Sequence, residues 1–324
     1  MPGPLEARIP AANRGQRLDQ ALAALFPDFS RTRLKTWIEA GRVLLDGRAP
    51  RPKDLVSGGE LVQLHPVDAP QVEMAPEPIA LNIVHEDATV IVIDKPAGLV
   101  VHPGAGNPRS TLQNALLHHD PSLARLPRAG IVHRLDKQTS GLLVVARTAE
   151  AHARLTRALA DHAVARVYEA VAIGVMTAGG TVNAPIDRHP VDRLRMAVRG
   201  DGREAVTHYR VIERFRAHTH VRVELETGRT HQIRVHLAHA GFPLVGDALY
   251  GKRLVIPRGA TPRLDAALRG FRRQALHAAR LAFEHPDGRG RVEFAAPLPP
   301  DFVELLAALR EDADAARDDP RGRS

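Results

Sequence analysis

An aspartate in a short polar segment between two apolar runs is the first candidate for chemistry. Asp136 lies in IVHRLDKQTSGLLVVA, residues 131–146, with His133, Arg134 and Lys137 close to it in sequence. Neighbouring cations favour the ionised form of a carboxylate. An ionised carboxylate on a rigid element can act as a nucleophile or a base. An Asx turn or a loop salt bridge uses the same residue types, so spacing alone leaves both interpretations open.

A second cluster of basic side chains occupies eleven consecutive positions. It comprises Arg229, His231, Arg234, His236 and His239. A helix starting near Thr230 would place His231 and Arg234 on one stripe, and its N-terminus could hold an anion. His236 and His239 are three residues apart, which also permits a metal site. The absence of an HExxH pattern and of cysteine makes the metal interpretation the weaker one.

Two further features are less specific. KPAGLVVHPG, residues 95–104, predicts a stiff loop after the strand VIVID, although a simple turn has the same composition. Tyr168 in ARVYEAV is one of only three tyrosines, so a sheet with several stacking aromatics is disfavoured. One tyrosine can still stack on one flipped base. A half-buried strand tyrosine is the alternative.

Composition excludes several classes of protein. A chain of 324 residues is long enough for about two domains. The absence of cysteine excludes disulfides, a thiol nucleophile, an iron–sulfur cluster and a cysteine zinc site. No apolar run is long enough to span a membrane, and no signal peptide is visible. We therefore expect a cytoplasmic protein.

The charge balance favours a polyanionic partner. The net charge is +8, from 45 basic and 37 acidic residues. The tail 311–324 has five acidic residues and three arginines, so the rest of the chain has a net charge of +10. Nucleic acid is the first partner to consider. However, 40 arginines against 5 lysines also fits GC-rich coding, in which some arginines only solvate the surface.

Hydrophobic periodicity divides the chain into three parts. Residues 14–65 predict two short helices and a hairpin, with Arg31 and Lys35 on one helix face. That face could bind an RNA backbone or only be solvated. Proline-rich residues 66–80 predict a linker, with the domain boundary near residue 75. Strands outnumber helices over 80–310, which indicates an α+β domain, and no GxGxxG or Walker pattern indicates a nucleotide cofactor.

Taken together, the motifs resemble those of a known family. HRLDKQTSGLLVVA, KPAGLVVHPG, ARVYEAV, TGRTHQIRVH and PLVGDALYG resemble, in order and spacing, the RluA-type pseudouridine synthases, and residues 14–65 resemble an S4 domain. The resemblance covers about residues 14–310. It implies a pseudouridine synthase fold on a mixed, mainly antiparallel sheet over 76–310. It also implies a small N-terminal α/β S4 (αL-like) RNA-binding domain over 14–75, and the tail 311–324 is expected to be disordered.

The resemblance also implies roles for particular residues. Asp136 matches the nucleophile, Tyr168 the tyrosine that stacks on uracil and is a candidate for handling the C5 proton, and Arg234 the basic partner of the carboxylate. Arg134 matches the arginine that enters the RNA as the base leaves the stack. We take four more residues as RNA-binding candidates: His133, Arg229, Arg31 and Lys35.

The implied reaction is an isomerisation, so we expect no cofactor and no metal at the site. AIGVMTAGGTVNAPIDRHP and RQALHAARLAFEHP are most similar to the branch that modifies uridines in the helix 69 stem-loop of 23S rRNA. The expected partner is 23S rRNA or a large-subunit precursor particle, and we expect a monomer. The alternatives are a synthase for other rRNA or tRNA uridines, a non-catalytic S4 RNA-binding protein, and a metal-dependent hydrolase built on the histidines.

Overall fold

The computed structural model describes residues 4–27, 29, 31–66, 75–104, 107–251 and 253–318. These residues pack as two units divided between residues 73 and 74, and the predicted domain boundary was residue 75. Residues 67–74 of the predicted linker lie outside the described residues.

The first unit is a three-stranded antiparallel sheet with two helices. Its elements are β1 (Leu5–Arg8), α1 (Leu18–Leu25), α2 (Arg31–Glu39), β2 (Val43–Leu45) and β3 (Leu61–Leu64), and the strand order is β1-β3-β2. Leu22, Leu34 and Trp37 are buried in its core. The sequence predicted both helices and the β2 and β3 strands. It missed β1, which lies before residue 14 and pairs with β3.

The second unit is built on a nine-stranded mixed sheet. The strands of this sheet are β4 (Ile83–Glu86), β5 (Val90–Lys95), β6 (Ser140–Ala146), β7 (Ala165–Ile173), β8 (Gly180–Asn183), β11 (Val206–Arg214), β12 (His218–Leu225), β13 (Leu276–Glu284) and β14 (Arg291–Ala295). Two more strands, β9 (Ile186–Arg188) and β10 (Met196–Val198), form a separate two-stranded sheet. The strand order is β4-β5-β6-β13-β7-β12-β11-β8, with β14 paired to β13. Among the strand pairs of the described residues, only β6–β13 is parallel, which confirms the predicted mixed, mainly antiparallel sheet.

The central strands are buried on both faces. Ile91 of β5 packs into one core and Val92 into another, because successive side chains of a strand point to opposite faces. This double burial explains why β5 and β6 read as continuous apolar runs in the sequence.

Helices cover the sheet. They are α3 (Leu112–His119), α4 (Ala149–Ala160), α5 (Gln232–His239), α6 (Pro262–Gly270) and α7 (Pro300–Asp318). No helix among the described residues is both long and apolar enough to cross a membrane.

The prediction of a disordered tail from residue 311 was wrong for its first part, because α7 continues to Asp318. Asp312 is buried, accepts a hydrogen bond from the Thr261 backbone N–H at 2.8 Å and pairs with Arg216 at 3.1 Å. These contacts compensate the acidic composition that indicated disorder. Residues 319–324 lie outside the described part of the chain.

Candidate active site

Asp136 lies in the connection that leads into β6. The Thr139 backbone N–H donates to the Asp136 carbonyl at 3.0 Å, which closes a turn around the aspartate. Gly141 follows with φ of 113°, and a Cβ there would lie 2.3 Å from the Ala278 carbonyl oxygen. Only glycine therefore allows β6 to lie this close to β13, which sets where the turn is held.

A buried lysine fixes the other side of this turn. Lys95 is fully buried, and its Nζ donates to the carbonyls of Pro96 at 2.7 Å, Leu99 at 3.0 Å and Lys137 at 3.3 Å. Burial lowers the pKa of Lys95 to about 7. The lysine thus ties the KPAGLVVHPG loop to the residue that follows Asp136. Sequence reasoning identified the loop but not this function of its lysine.

Arg234 connects Asp136 to a second carboxylate. Its Nη1 donates to Asp136 Oδ2 at 2.9 Å, while Nε and Nη2 donate to the two oxygens of Asp247 at 2.7 and 2.9 Å. The Asp247 side chain is fully buried, and the Asp136 side chain is 17% exposed. One guanidinium therefore serves two carboxylates, of which only Asp136 reaches solvent.

Electrostatics favour the charged forms of Asp247 and Arg234. Burial alone would raise the pKa of Asp247, but hydrogen bonds from Arg234 and from the Leu249 and Tyr250 backbone lower it below its usual range. Burial would likewise lower the pKa of Arg234, yet Asp247 and Asp136 raise it above the ordinary arginine value. Sequence analysis missed Asp247, although the quoted motif PLVGDALYG contains it.

The start of α5 aims Arg234. His231 precedes the helix with φ of 58°, a left-handed conformation that is uncommon outside glycine. Gln232 accepts from the Arg229 backbone N–H at 2.9 Å and donates to the Val206 carbonyl at 2.9 Å. These bonds anchor the first turn to β11, so the predicted helix is present and its first turn is fixed in place.

Tyr250 packs against the Arg234 guanidinium. Its ring lies 5.0 Å from the Arg234 guanidinium carbon, and its hydroxyl oxygen lies 2.8 Å from His231 Nδ1. The hydroxyl also accepts the Met196 backbone N–H at 2.7 Å. His231 Nε2 is 3.9 Å from Asp136 Oδ1, so Tyr250 joins the β9–β10 hairpin to the aspartate through this histidine.

Asp136 faces a cavity of about 580 Å³ that Tyr168 also lines. Tyr168 lies on β7 between Val223 of β12 and Ala278 of β13, and burial raises the pKa of its hydroxyl. Among the described residues, that hydroxyl has no hydrogen-bond partner. Tyr168 therefore lines the same cavity as the Asp136 carboxylate, and its hydroxyl is available to bind a ligand.

Arginines line much of the cavity wall. They are Arg128, Arg134, Arg166, Arg203, Arg229 and Arg234. Arg134 is exposed and makes no hydrogen bond or ion pair within the described part of the chain. Arg229 donates from Nε to the Glu204 carbonyl at 2.9 Å. The wall is thus suited to an anionic ligand, and composition could not have separated these arginines from the solvated ones.

The structure gives His133 a supporting position. It lines the cavity, but its Nε2 accepts the Val144 backbone N–H at 3.1 Å, and burial lowers its pKa to about 3. The ring is therefore neutral and ties the segment before Asp136 to β6. This bond occupies Nε2, so the predicted RNA contact by His133 stays a prediction for the rest of the ring.

The two candidates in the first unit differ from each other. Arg31 donates to Asp19 from Nε at 3.1 Å and from Nη2 at 2.8 Å, so its guanidinium is engaged within the unit. Lys35 pairs with Glu39 at 3.6 Å, and both of these side chains are at least half exposed. The two side chains are about equally exposed, at 48% and 50%, so they differ in their partners: Arg31 binds a buried carboxylate, whereas Lys35 has an exposed i,i+4 pair.

The contacts exclude the histidine pair of the second cluster as a metal site. His236 Nδ1 lies 2.8 Å from Thr207 Oγ1, and His236 Nε2 lies 2.9 Å from the Ala184 carbonyl. Both ring nitrogens thus have protein partners, while His239 is exposed.

Comparison with known proteins agrees with this geometry. Residues 89–239 match the RNA pseudouridylate synthase family, and residues 16–62 match the S4 domain. Ribosomal large subunit pseudouridine synthase D of Xanthomonas campestris pv. campestris is 58% identical over 311 residues, covering 96% of this chain and 94% of that protein. The protein of the same name from Escherichia coli K12 is 53% identical and covers 97% of both chains.

A solved structure supports the fold. The human RNA pseudouridylate synthase domain containing 4 aligns with a TM-score of 0.55 and 27% identity, covering 71% of this chain and 93% of that one. With near-complete coverage of relatives above 50% identity, the chain belongs to the RNA pseudouridylate synthase family and is a pseudouridine synthase with an S4 domain.

Proposed function

We propose that this enzyme isomerises uridines of 23S rRNA, in the helix 69 stem-loop, with Asp136 as the nucleophile. The observation that carries the proposal is the Asp136 carboxylate, held by Arg234 at 2.9 Å and open to the arginine-lined cavity. The names of the relatives, ribosomal large subunit pseudouridine synthase D, support the choice of rRNA.

Isomerisation breaks the N1–C1′ bond of uridine and forms a C5–C1′ bond. The target base must leave the stack at a cost of a few kcal/mol, and this cost is lowest in a loop. Arg134 is exposed at the cavity and has a free guanidinium, which suits it to fill the vacated position. Asp136 then promotes departure of uracil, either by attack at C1′ or by a glycal route.

Arg234 and Tyr168 have different roles in the remaining steps. Arg234 donates to Asp136 Oδ2 at 2.9 Å and so holds the carboxylate in position while RNA excludes water from the cavity. The ring of Tyr168 supports the detached uracil while it rotates. Because its raised pKa keeps the phenol protonated at neutral pH, its hydroxyl is suited to relay the C5 proton rather than to stand as a charged base.

The reaction requires no cofactor beyond the enzyme and its RNA. An isomerisation needs no redox cofactor and no ATP. The S4 domain supplies a second RNA contact, through Lys35 of α2. We propose a monomer that works in the cytoplasm, where rRNA is assembled into ribosomal particles.

Tritium release from RNA labelled at uridine C5 tests the proposal. The substrates are 23S rRNA from a strain lacking the enzyme and bulk tRNA, each with a chelator present. We expect release from 23S rRNA, with helix 69 positions identified by mapping, and no release by Asp136→Asn despite unchanged RNA binding. Asp265→Asn, at an exposed carboxylate on α6, is the matched control. Turnover by Asp136→Asn would falsify the nucleophile, and release from tRNA alone would contradict the target.

Tyr168→Phe separates stacking from proton transfer. The variant keeps the ring and loses the hydroxyl, so substrate binding should persist while kcat falls by roughly 10²-fold, the lower range for proton transfer by a positioned side chain. Unchanged kcat would limit Tyr168 to a stacking role.

A further inference from the structure

Two turns of the second unit bring three potential metal ligands together outside the cavity. His85 is the last residue but one of β4, Asp87 begins the β4–β5 turn, and His285 follows β13. The ligand atoms of these three residues lie within 4.8 Å of one another. The cluster lies at the opposite end of β5 from Lys95, roughly 17 Å away at the rise of a β-strand.

The Asp87 carboxylate is oriented by its own turn. Its Oδ1 accepts the Thr89 N–H and hydroxyl at 2.8 Å each and the Val90 N–H at 2.9 Å. This leaves Oδ2 facing two imidazoles, 3.0 Å from His85 Nε2 and 3.0 Å from His285 Nε2. One oxygen and two ring nitrogens thus converge on one point.

His285 supplies the independent observation that a ligand is missing. Its side chain is fully buried, and its Nδ1 lies 2.6 Å from Asp287 Oδ1. Its Nε2 lies 3.0 Å from Asp87 Oδ2, yet this nitrogen is buried and has no hydrogen-bond partner among the described residues.

We infer that His85, Asp87 and His285 bind a divalent transition-metal ion, with Zn²⁺ the best match. Two imidazole nitrogens, one carboxylate oxygen and a water are a common zinc ligand set. Tetrahedral Zn²⁺ with bonds near 2.0 Å separates its ligands by about 3.3 Å, so the 3.0 Å contacts need little expansion. Asp287 provides the carboxylate that usually orients a metal-binding histidine through its other nitrogen.

The role of the ion is structural. It joins the β4–β5 turn to the β13–β14 turn, and none of its ligands lines the cavity that holds Asp136. The inference concerns a separate site and does not depend on the proposed RNA target or nucleophile.

Arg289 is the competitor for this site. Its Nη2 lies 3.4 Å from Asp87 Oδ2, and the same atom pairs with Asp287. The side chain is 49% exposed at the β13–β14 turn, so it can move into solvent when an ion binds. Removing the arginine should therefore strengthen ion binding, whereas removing a ligand should weaken it.

The test is titration of the full chain with Zn²⁺, followed by calorimetry and by thermal unfolding, with Mg²⁺ in parallel. We expect one Zn²⁺ per chain. At a free concentration 100-fold above Kd, Tm should rise by roughly 5 to 10 °C for a unit of this size. Mg²⁺ should have no effect, because it prefers oxygen ligands.

Four variants decide between an ion site and a simple ion-pair network. His285→Ala should weaken Zn²⁺ binding at least 100-fold, and His85→Ala, at a side chain one-third exposed, repeats the test if the first variant does not fold. Arg289→Ala should bind Zn²⁺ more tightly than the parent chain. His208→Ala removes an exposed histidine paired with Glu226 and should change nothing.

The inference is overturned if the parent chain binds no Zn²⁺, or if His85→Ala binds it as the parent does. It is also overturned if Arg289→Ala weakens Zn²⁺ binding. Arg289 would then support the cluster instead of competing with the ion, as expected of a network of ion pairs without a metal. Tritium release by His85→Ala should equal that of the parent chain, which separates this result from any failure of the proposed function.

Discussion

Both units contain aspartates paired with arginine, but the number of arginines per aspartate differs between them. In the second unit, Asp136 and Asp247 share one guanidinium, that of Arg234. In the first unit, Asp19 alone takes two arginines, Arg17 at 3.0 Å and Arg31 at 2.8 Å.

The proportion of charges decides what each carboxylate can do. Asp19 is 3% exposed and surrounded by donors, so it is a structural anchor between α1 and α2. Asp136 is 17% exposed and receives one bond from an arginine already bound to Asp247, so a lone pair stays available toward the cavity. An aspartate–arginine pair is therefore reactive or structural according to how many donors its carboxylate has.

Asp247→Asn is the change that should break this contrast most strongly. The amide retains the shape of the side chain but removes the second negative charge, so Arg234 no longer has a fixed bidentate partner and its aim at Asp136 loosens. A misplacement of about 1 Å can cost about 10²-fold in rate. We expect kcat in the tritium-release assay to fall by about that factor, with RNA Kd unchanged.

The same variant needs a control for stability, since Asp247 is buried. Urea unfolding should show a folded second unit, and Asp265→Asn should retain full activity. An Asp247→Asn enzyme with normal kcat would mean that Arg234 is positioned by α5 alone.

Asp19→Ala tests the other half of the contrast. Deleting the carboxylate leaves Arg17 and Arg31 without their partner, but both are more than a third exposed and can be solvated again. We expect a loss of about 1.5–3 kcal/mol in the stability of the first unit, the scale of a hydrogen bond to a charged group. Denaturant unfolding measures it, and kcat at saturating RNA should stay unchanged; a drop in kcat would instead link Asp19 to catalysis.

The local sequence pattern was sufficient to predict some of the helices and strands but not the others. The apolar runs of β5 and β6 and the spacing of α1 and α2 predicted those elements, because the buried residues of each element are close together in sequence. β1 and β13 were missed, since their assignment depends on partners far away in sequence, such as β3 and β7.

The site shows the same division. Asp136, Tyr168 and Arg234 could be named from motifs, but Asp247 needs the fold, because only the structure shows that its buried oxygens face Arg234. The contrast with Asp87 and His285 is sharper. These residues are 198 positions apart, and no motif contains both of them, yet two turns place them 3.0 Å apart.

The smallest expected effect concerns RNA affinity in the first unit. Sequence spacing placed Arg31 and Lys35 on one helix face that could bind an RNA backbone or only be solvated. In the structure Arg31 is bound to Asp19, whereas Lys35 has only an exposed i,i+4 pair, which contributes little and competes weakly with a phosphate. Lys35→Ala should therefore weaken RNA binding a few-fold, and the slope of log K against log salt should become shallower by about 0.7 to 0.9.

Arg31→Ala is the matched comparison, because it removes the same charge one helical turn away. It should leave the salt slope unchanged while lowering the stability of the first unit, since its guanidinium serves Asp19 rather than the ligand. Arg269→Ala, which removes a paired surface charge on α6, controls for net charge alone. If Arg31→Ala flattens the slope as much as Lys35→Ala does, then Arg31 exchanges Asp19 for a phosphate on binding. The number of donors around a carboxylate would then no longer predict which arginines are structural.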